Sequence, residues 1–123
     1  LASGTDIEFV KHEAKLLGVA EYFDGGIFGA LRDFSKFSKE MVIKKILEDF
    51  NLHGNELLIV GDGYVEIQNA KSANAIAVGI VTKENNIYDM NANKRQRLIR
   101  AGADIICPDF READQLLTYL LNL

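Results

Sequence analysis

No stretch of this chain limits its possible folds as much as Leu57-Leu58-Ile59-Val60-Gly61-Asp62-Gly63-Tyr64-Val65-Glu66. Four apolar residues rich in branched side chains, running straight into a glycine turn, read as a strand buried on both faces, as in a parallel sheet under helices. Such a strand presents its chemistry at its carboxyl end. Asp62 stands there between two glycines, which let the backbone turn sharply and let a ligand come close. A helix opening at Val65 and running to about Ala73 puts Glu66 in its first turn, from which its side chain can point back over the strand end toward Asp62. Two carboxylates at a strand end suit a hard cation such as magnesium, which takes one or two protein carboxylates, several waters and substrate phosphate oxygens. The same residues also make an ordinary turn, since Asp suits a Gly-Asp-Gly bend and the helix dipole alone favours Glu in a first turn. On this stretch by itself both readings stand.

The rest of the chain repeats the alternation of short apolar strands and amphipathic helices. Leu1 to Thr5 reads as the tail of a strand. Thr5-Asp6-Ile7-Glu8 has capping-box spacing and opens a helix to about Leu17, with Ile7, Val10, Ala14 and Leu17 on one face and Gly18 as its stop. Residues 26–30 form a short second strand. Ser38 caps a helix from Lys39 to about Phe50, whose apolar positions Val42, Ile43, Ile46, Leu47 and Phe50 follow the 3.6-residue period. After the helix that begins at Val65, Asn74 suits a left-handed cap, and residues 75–81 read as another fully buried strand. A polar loop rich in asparagine precedes a basic helix over residues 93–101, stopped by Gly102. Residues 103–107 are a last short strand ended by Pro108. Asp109 to Glu112 again has cap spacing and opens a closing helix with Leu116, Leu117, Leu120 and Leu121 inward. This order is that of a parallel α/β layer structure in one compact unit over residues 1–123.

Composition narrows the function. The 123 residues are 48% apolar and 26% charged, as in an ordinary globular domain, and the net charge of −4 argues against a nucleic acid or an anionic membrane held by bulk charge. Lys94, Arg95, Arg97 and Arg100 spread around their helix and read as a solvated face. No apolar run approaches the roughly 18 to 20 residues of a membrane helix, and no signal-peptide pattern is present. Cys107 is the single cysteine, which excludes an intrachain disulfide and a cysteine zinc site and fits a reducing, cytoplasmic setting. Following two isoleucines, it reads as a small buried hydrophobe. His12 and His53 have no metal spacing and read as surface residues.

Three features in order, Ser3 at the end of a first strand, a lysine opening a helix after the second strand, and Gly61-Asp62-Gly63-x-x-Glu66 after the next, resemble the haloacid dehalogenase-like hydrolase superfamily. Most of its members are magnesium-dependent phosphatases. The resemblance spans most of the chain; its most specific part is Leu58 to Ile67 continuing to residues 75–80, and Arg100-Ala101-Gly102-Ala103-Asp104-Ile105-Ile106 is similar to the family's closing section. It implies a three-layer, Rossmann-like parallel sheet with helices on both faces. It also implies that Ser3, with the amide of Gly4, and Lys39 hold a phosphoryl group, with Lys36 the competitor for the lysine role. Asp62 would hold Mg2+, with Glu66 in the second acidic position, where the family more often has aspartate.

The family's nucleophile lies in an Asp-x-Asp motif at the end of a central strand, and this sequence contains no Asp-x-Asp. The resemblance therefore implies that the nucleophile strand and the substrate-selecting cap lie upstream of Leu1, and that an upstream segment or a partner chain completes the sheet. The implied substrate is a small phosphorylated molecule, attacked through an aspartyl-phosphate intermediate. The alternative is a non-catalytic α/β binding or regulatory domain in which Asp62 and Glu66 only shape a turn. A receiver-like signalling domain fits the order of the motifs less well.

Overall fold

The computed structural model describes residues 1–33 and 37–122, so Lys36 lies outside the described residues. The chain divides into two compact units, Leu1–His53 and Gly54–Leu123.

In the first unit, β1 (Ala2–Asp6) pairs in parallel with β2 (Phe28–Ala30), with a register shift between the Ala2 and Asp6 pairings. The helix α1 (Ile7–Leu16) packs on both strands, and α2 (Lys39–Asp49) packs on β1. The expected Thr5 capping box does not form. Pairing of Asp6 with Ala30 keeps Thr5 in the strand, so the chain enters α1 through Asp6 with no side-chain cap. Gly18, at φ +67°, follows the helix as expected. Val10 and Ala14 are buried, whereas Leu17 falls one residue past the last turn and is exposed. Ser38 caps α2 as read from the sequence, its Oγ accepting a 3.1 Å hydrogen bond from the Met41 amide. Val42 is buried on the inner side of α2, but Phe50 is exposed.

The second unit holds β3 (Leu58–Gly61), α3 (Tyr64–Ser72), β4 (Ile76–Ile80), the strands β5 (Thr82–Lys83) and β6 (Asn86–Met90), α4 (Ala92–Ala101), β7 (Ile105–Cys107) and α5 (Ala113–Leu121). A parallel sheet runs in the order β3-β4-β7, its registry placing Gly61 beside Gly79 and Gly79 beside Ile106. The chain's α/β class and parallel pairing agree with the sequence reading. The expected double burial of β3 does not. Ile59 packs on the core, while Leu58 and Val60 are 40% and 46% exposed. Among the described residues β3 has a single neighbour and β4 has two, and it is β4 that buries Ala77, Val78 and Gly79 on both faces.

The core of this unit joins Ile67 and Ala70 of α3, Ala77 of β4 and Leu98 and Ala101 of α4, with Ala75 and Val81 flanking β4. Full burial of Ile67 and Leu98 contributes about 1.5–3 kcal/mol for each side chain relative to exposure. A β-carbon on Gly79 would lie 2.9 Å from Leu98 Cδ1, so the glycine lets α4 lie close against the sheet. Asn74 is left-handed at φ 56°, as expected, and Gly102, at φ 99°, caps α4.

Three expectations fail here. The asparagine-rich stretch is not a loop but an antiparallel hairpin, β5 and β6, joined through Glu84-Asn85. Neither turn residue has a positive φ, so the Asn-Gly or Asp-Gly signal of the common two-residue hairpin is missing. The last helix starts at Ala113 without a side-chain cap, because the Asp109 carboxylate bonds the amide and guanidinium of Arg111 instead. Leu116 and Leu120 are half-buried; Leu117 and Leu121 are exposed. Among the described residues no helix is long and apolar enough to cross a membrane.

Candidate functional site

Parallel strands align their carbonyl ends, and loops leaving that edge can converge on a ligand. In the second unit the edge is formed by Gly61-Asp62, by Ile80-Val81-Thr82 and by Cys107-Pro108-Asp109. It is stitched together by the Val81 amide donating to the Cys107 carbonyl and by the Thr82 hydroxyl donating to the Pro108 carbonyl at 2.6 Å.

Asp62 leaves the end of β3 into solvent, its side chain 69% exposed. Gly63 then serves as the N-cap of α3, and Glu66 occupies the first turn. The Glu66 side chain folds back over both glycines. A β-carbon built on Gly63 would sit 1.9 Å from Glu66 Oε2, and one built on Gly61 would sit 3.2 Å from Glu66 Cβ. Gly63 thus leaves the space in which the carboxylate lies, and the backward orientation expected from the sequence is present. Tyr64 and Gln68 share a hydrogen bond one turn along the same helix.

The sequence reading missed Lys94. Placed with the solvated basic residues, it is the member of that group with a side chain only 17% exposed, and its Nζ donates to Asp62 Oδ2 at 3.1 Å. Its backbone amide is bonded by the Asn91 side chain, which caps α4, so Lys94 stands in the first turn of a helix that has no acidic residue there. The helix dipole disfavours a cation at that end. A basic residue placed against the dipole just after an Asn cap was the signal available in the sequence.

Asp62 and Lys94 open on a cavity of about 410 Å3 whose walls include Val60, Ile80, Ile87 and Phe110, with Thr82 contributing a hydroxyl. At the neighbouring strand end Asp109 is already engaged by Arg111, whose hydrogen bonds hold its carboxyl below the usual range. Arg111 in turn lies over the Tyr88 ring, 5.3 Å from its centre. Burial, aided by the charge of Asp109, pushes the Cys107 thiol up, so this cysteine is a poor nucleophile. Among the described residues no three His, Cys, Asp or Glu side chains gather as a metal site. Asp62 and Glu66 are the pair that could hold a divalent cation, completed by waters and substrate oxygens as is usual for magnesium. Their fit rests on the donor chemistry and on Lys94, whose ammonium stands in for a cation at Asp62.

In the first unit, Ser3 is half-buried in β1 and its Oγ accepts a 3.1 Å hydrogen bond from the Thr5 amide. The exposed Gly4 follows it, and a side chain there would meet nothing within 4 Å. Lys39 is the first residue of α2, directly after the Ser38 cap, and is half-buried. A helix start carries the positive end of the helix dipole, which favours an anion.

No family model and no curated protein matches the sequence. Solved structures do. A conserved haloacid dehalogenase-like protein of unknown function from Agrobacterium tumefaciens superposes with a TM-score of 0.78 at 15% identity, over 98% of this chain and 53% of that one. A hydrolase of the haloacid dehalogenase-like family from Streptococcus pneumoniae superposes with a TM-score of 0.71 at 20% identity, over 93% of this chain and 49% of that one. The chain spans about half the length of these structures. The alternation of parallel strands and helices, with Asp62 and Glu66 at a strand end, thus lies in a chain with the α/β fold of haloacid dehalogenase-like proteins.

Proposed function

We propose that this chain is part of a magnesium-dependent phosphatase that hydrolyses a small phosphorylated metabolite in the cytoplasm. The observation that carries the reading is the Glu66 carboxylate folded over Gly63 at the strand end that bears Asp62. The likeness in fold to a hydrolase supports it. In this reading Asp62 is the main metal ligand and Glu66 the second acidic group, bound to the metal directly or through water. Ser3 Oγ and the Gly4 amide donate to phosphoryl oxygens, and the Lys39 ammonium neutralises their charge. Bound magnesium would supply further neutralisation of the phosphate oxygens. The attacking carboxylate, absent here as an Asp-x-Asp pair, comes from a segment beyond these 123 residues. Its oxygen bonds to phosphorus as the bond to the leaving alcohol breaks, and water then cleaves the aspartyl-phosphate. Most of such catalysis is positioning and charge stabilisation, the work assigned to Ser3, Lys39 and Asp62.

The test is turnover of an aryl phosphate with magnesium titrated, for the 123-residue chain alone and with an Asp-x-Asp strand segment added. The chain alone is expected to be inactive and to bind magnesium weakly, and the added segment to restore both. Full activity of the purified chain alone would overturn the assignment. In the restored protein Lys39→Ala should lower turnover by roughly tenfold, about 1.4 kcal/mol. A larger loss with Lys36→Ala would move the role to Lys36.

A second reading, a non-catalytic binding or regulatory domain, has one observation in its favour: the Asp62–Lys94 pair ties α4 to the end of β3. Under that reading Asp62→Asn lowers stability and leaves no metal-dependent hydrolysis to lose.

A further inference from the structure

We propose that Lys94 is the resident counter-ion of Asp62, that a divalent cation takes the carboxylate by displacing it, and that Lys94 thereby sets the metal affinity of the site. The inference rests on the reading of Asp62 as a metal ligand.

Three observations carry it. The Lys94 ammonium lies 3.1 Å from Oδ2 of the Asp62 carboxylate, the group a metal would need. The pair is unequal, with the lysine 17% exposed and the aspartate 69% exposed, so Lys94 is anchored through its stem while the carboxylate remains open to solvent. Finally, the position offers α4 no benefit, because a cation in the first turn of a helix opposes its dipole. Asp62 is the contact that offsets this arrangement.

The charges favour an exchange. Asp62, Glu66 and Lys94 together carry one net negative charge, which a divalent cation would convert to one net positive charge. At equal distance a divalent ion attracts the carboxylate twice as strongly as an ammonium does, and the two cations repel each other. The displaced ammonium has room to turn into the cavity of about 410 Å3 that it lines with Ile87 and Phe110. Lys94 therefore keeps the carboxylate neutralised until the metal arrives, and weakens metal binding by the cost of its own displacement.

The experiment is a titration with Mn2+ of the chain assembled with the added Asp-x-Asp strand segment, free ion being measured by electron paramagnetic resonance, for the unaltered chain, Lys94→Met, Lys94→Gln, Lys94→Arg, Asp62→Asn and the double variant Asp62→Asn with Lys94→Met. Methionine keeps the length of the stem, and glutamine gives a second neutral replacement if methionine disturbs the fold. Both neutral variants should bind Mn2+ about threefold or more tightly than the unaltered chain, the size expected for loss of a partly exposed ion pair. Arginine should leave affinity nearly unchanged, and the gap should narrow as salt screens the charges. Equal or weaker binding by the neutral variants, with Asp62→Asn still abolishing it, would overturn this inference and leave the metal reading intact. A gain that persists in the double variant would also overturn it, since the effect would then be one of general surface charge. Binding unaffected by Asp62→Asn, or no binding in any variant, would remove both the metal reading and the inference.

Discussion

Two aspartate–lysine pairs hold opposite edges of the same three-stranded sheet, and they are built differently. At the amino edge Asp104, just before β7, accepts two hydrogen bonds from Lys71 at 2.8 and 2.9 Å and a third from the Ala77 amide at 2.8 Å. Lys71 also donates to the Ala75 carbonyl. Both residues are thus tied into backbone that leads into or starts the central strand. Burial works against the Asp104 charge, but the bonds from Lys71 and Ala77, with the charge of Lys71, exceed it and hold the carboxyl below its ordinary value. At the carboxyl edge Asp62 receives one 3.1 Å contact from Lys94 and points into solvent. One carboxylate is used up by the fold; the other, among the described residues, is held by a single contact. Parallel α/β sheets place ligands at the edge where the second kind is found.

The comparison is broken most sharply by neutralising each aspartate in turn. In a preparation that carries the attacking carboxylate, Asp62→Asn should lower magnesium-dependent turnover of an aryl phosphate by about a hundredfold or more, the order expected when metal-borne charge stabilisation of several kcal/mol is lost. Its urea midpoint should move only slightly, since the lost pair with Lys94 is partly exposed and such pairs contribute about 0–1 kcal/mol. Glu66→Gln should do less. Wild-type turnover in both would reject the site.

Asp104→Ala should show the reverse pattern. It strips the partner from the amide of Ala77, a fully buried residue, and should destabilise the second unit by about 1–3 kcal/mol in urea unfolding. An unchanged midpoint would show that the amino-edge pair is as dispensable as an ordinary surface pair.

Acid sharpens the distinction. Because folding lowers the Asp104 pKa, its contribution to stability is complete above the unfolded carboxyl value of about 3.9 and is lost as pH falls below that toward the lowered folded value. Unfolding followed by circular dichroism across this range should be steeper for the wild type than for Asp104→Ala. Equal slopes would remove the role assigned to the pair.

The smallest effect is expected at Gly63. Alanine there would meet Glu66 Oε2 at 1.9 Å, and since that atom is the end of a flexible side chain, the carboxylate should swing away with little loss of stability. Magnesium affinity should fall by about threefold, on the order of the smaller effects of charged neighbours at exposed sites. No change in affinity would mean that the position of Glu66 over the turn is immaterial.

Sequence alone determined the features that depend on local chemistry. Ser38 caps α2, Asn74 and Gly102 take left-handed backbone, Gly63 opens α3, and Glu66 turns back over it, all because short-range sterics and hydrogen bonding decide them. The buried pattern of residues 75–81 likewise announced a fully buried strand. Tertiary structure decided the rest. Leu57 to Val60 and the residues of β4 are equally apolar, yet the number of neighbouring strands leaves Leu58 and Val60 exposed and buries Val78. Thr5 has the chemistry of a cap, but pairing with β2 claims it for the strand. Lys94 and Asp62 are 32 residues apart in the chain, and although Lys94 follows an Asn cap, nothing local to it names Asp62 as the carboxylate it meets. That meeting follows from where α4 lands on the sheet, set by the contact of Leu98 with Gly79, and a long-range packing contact leaves no periodic trace in the sequence.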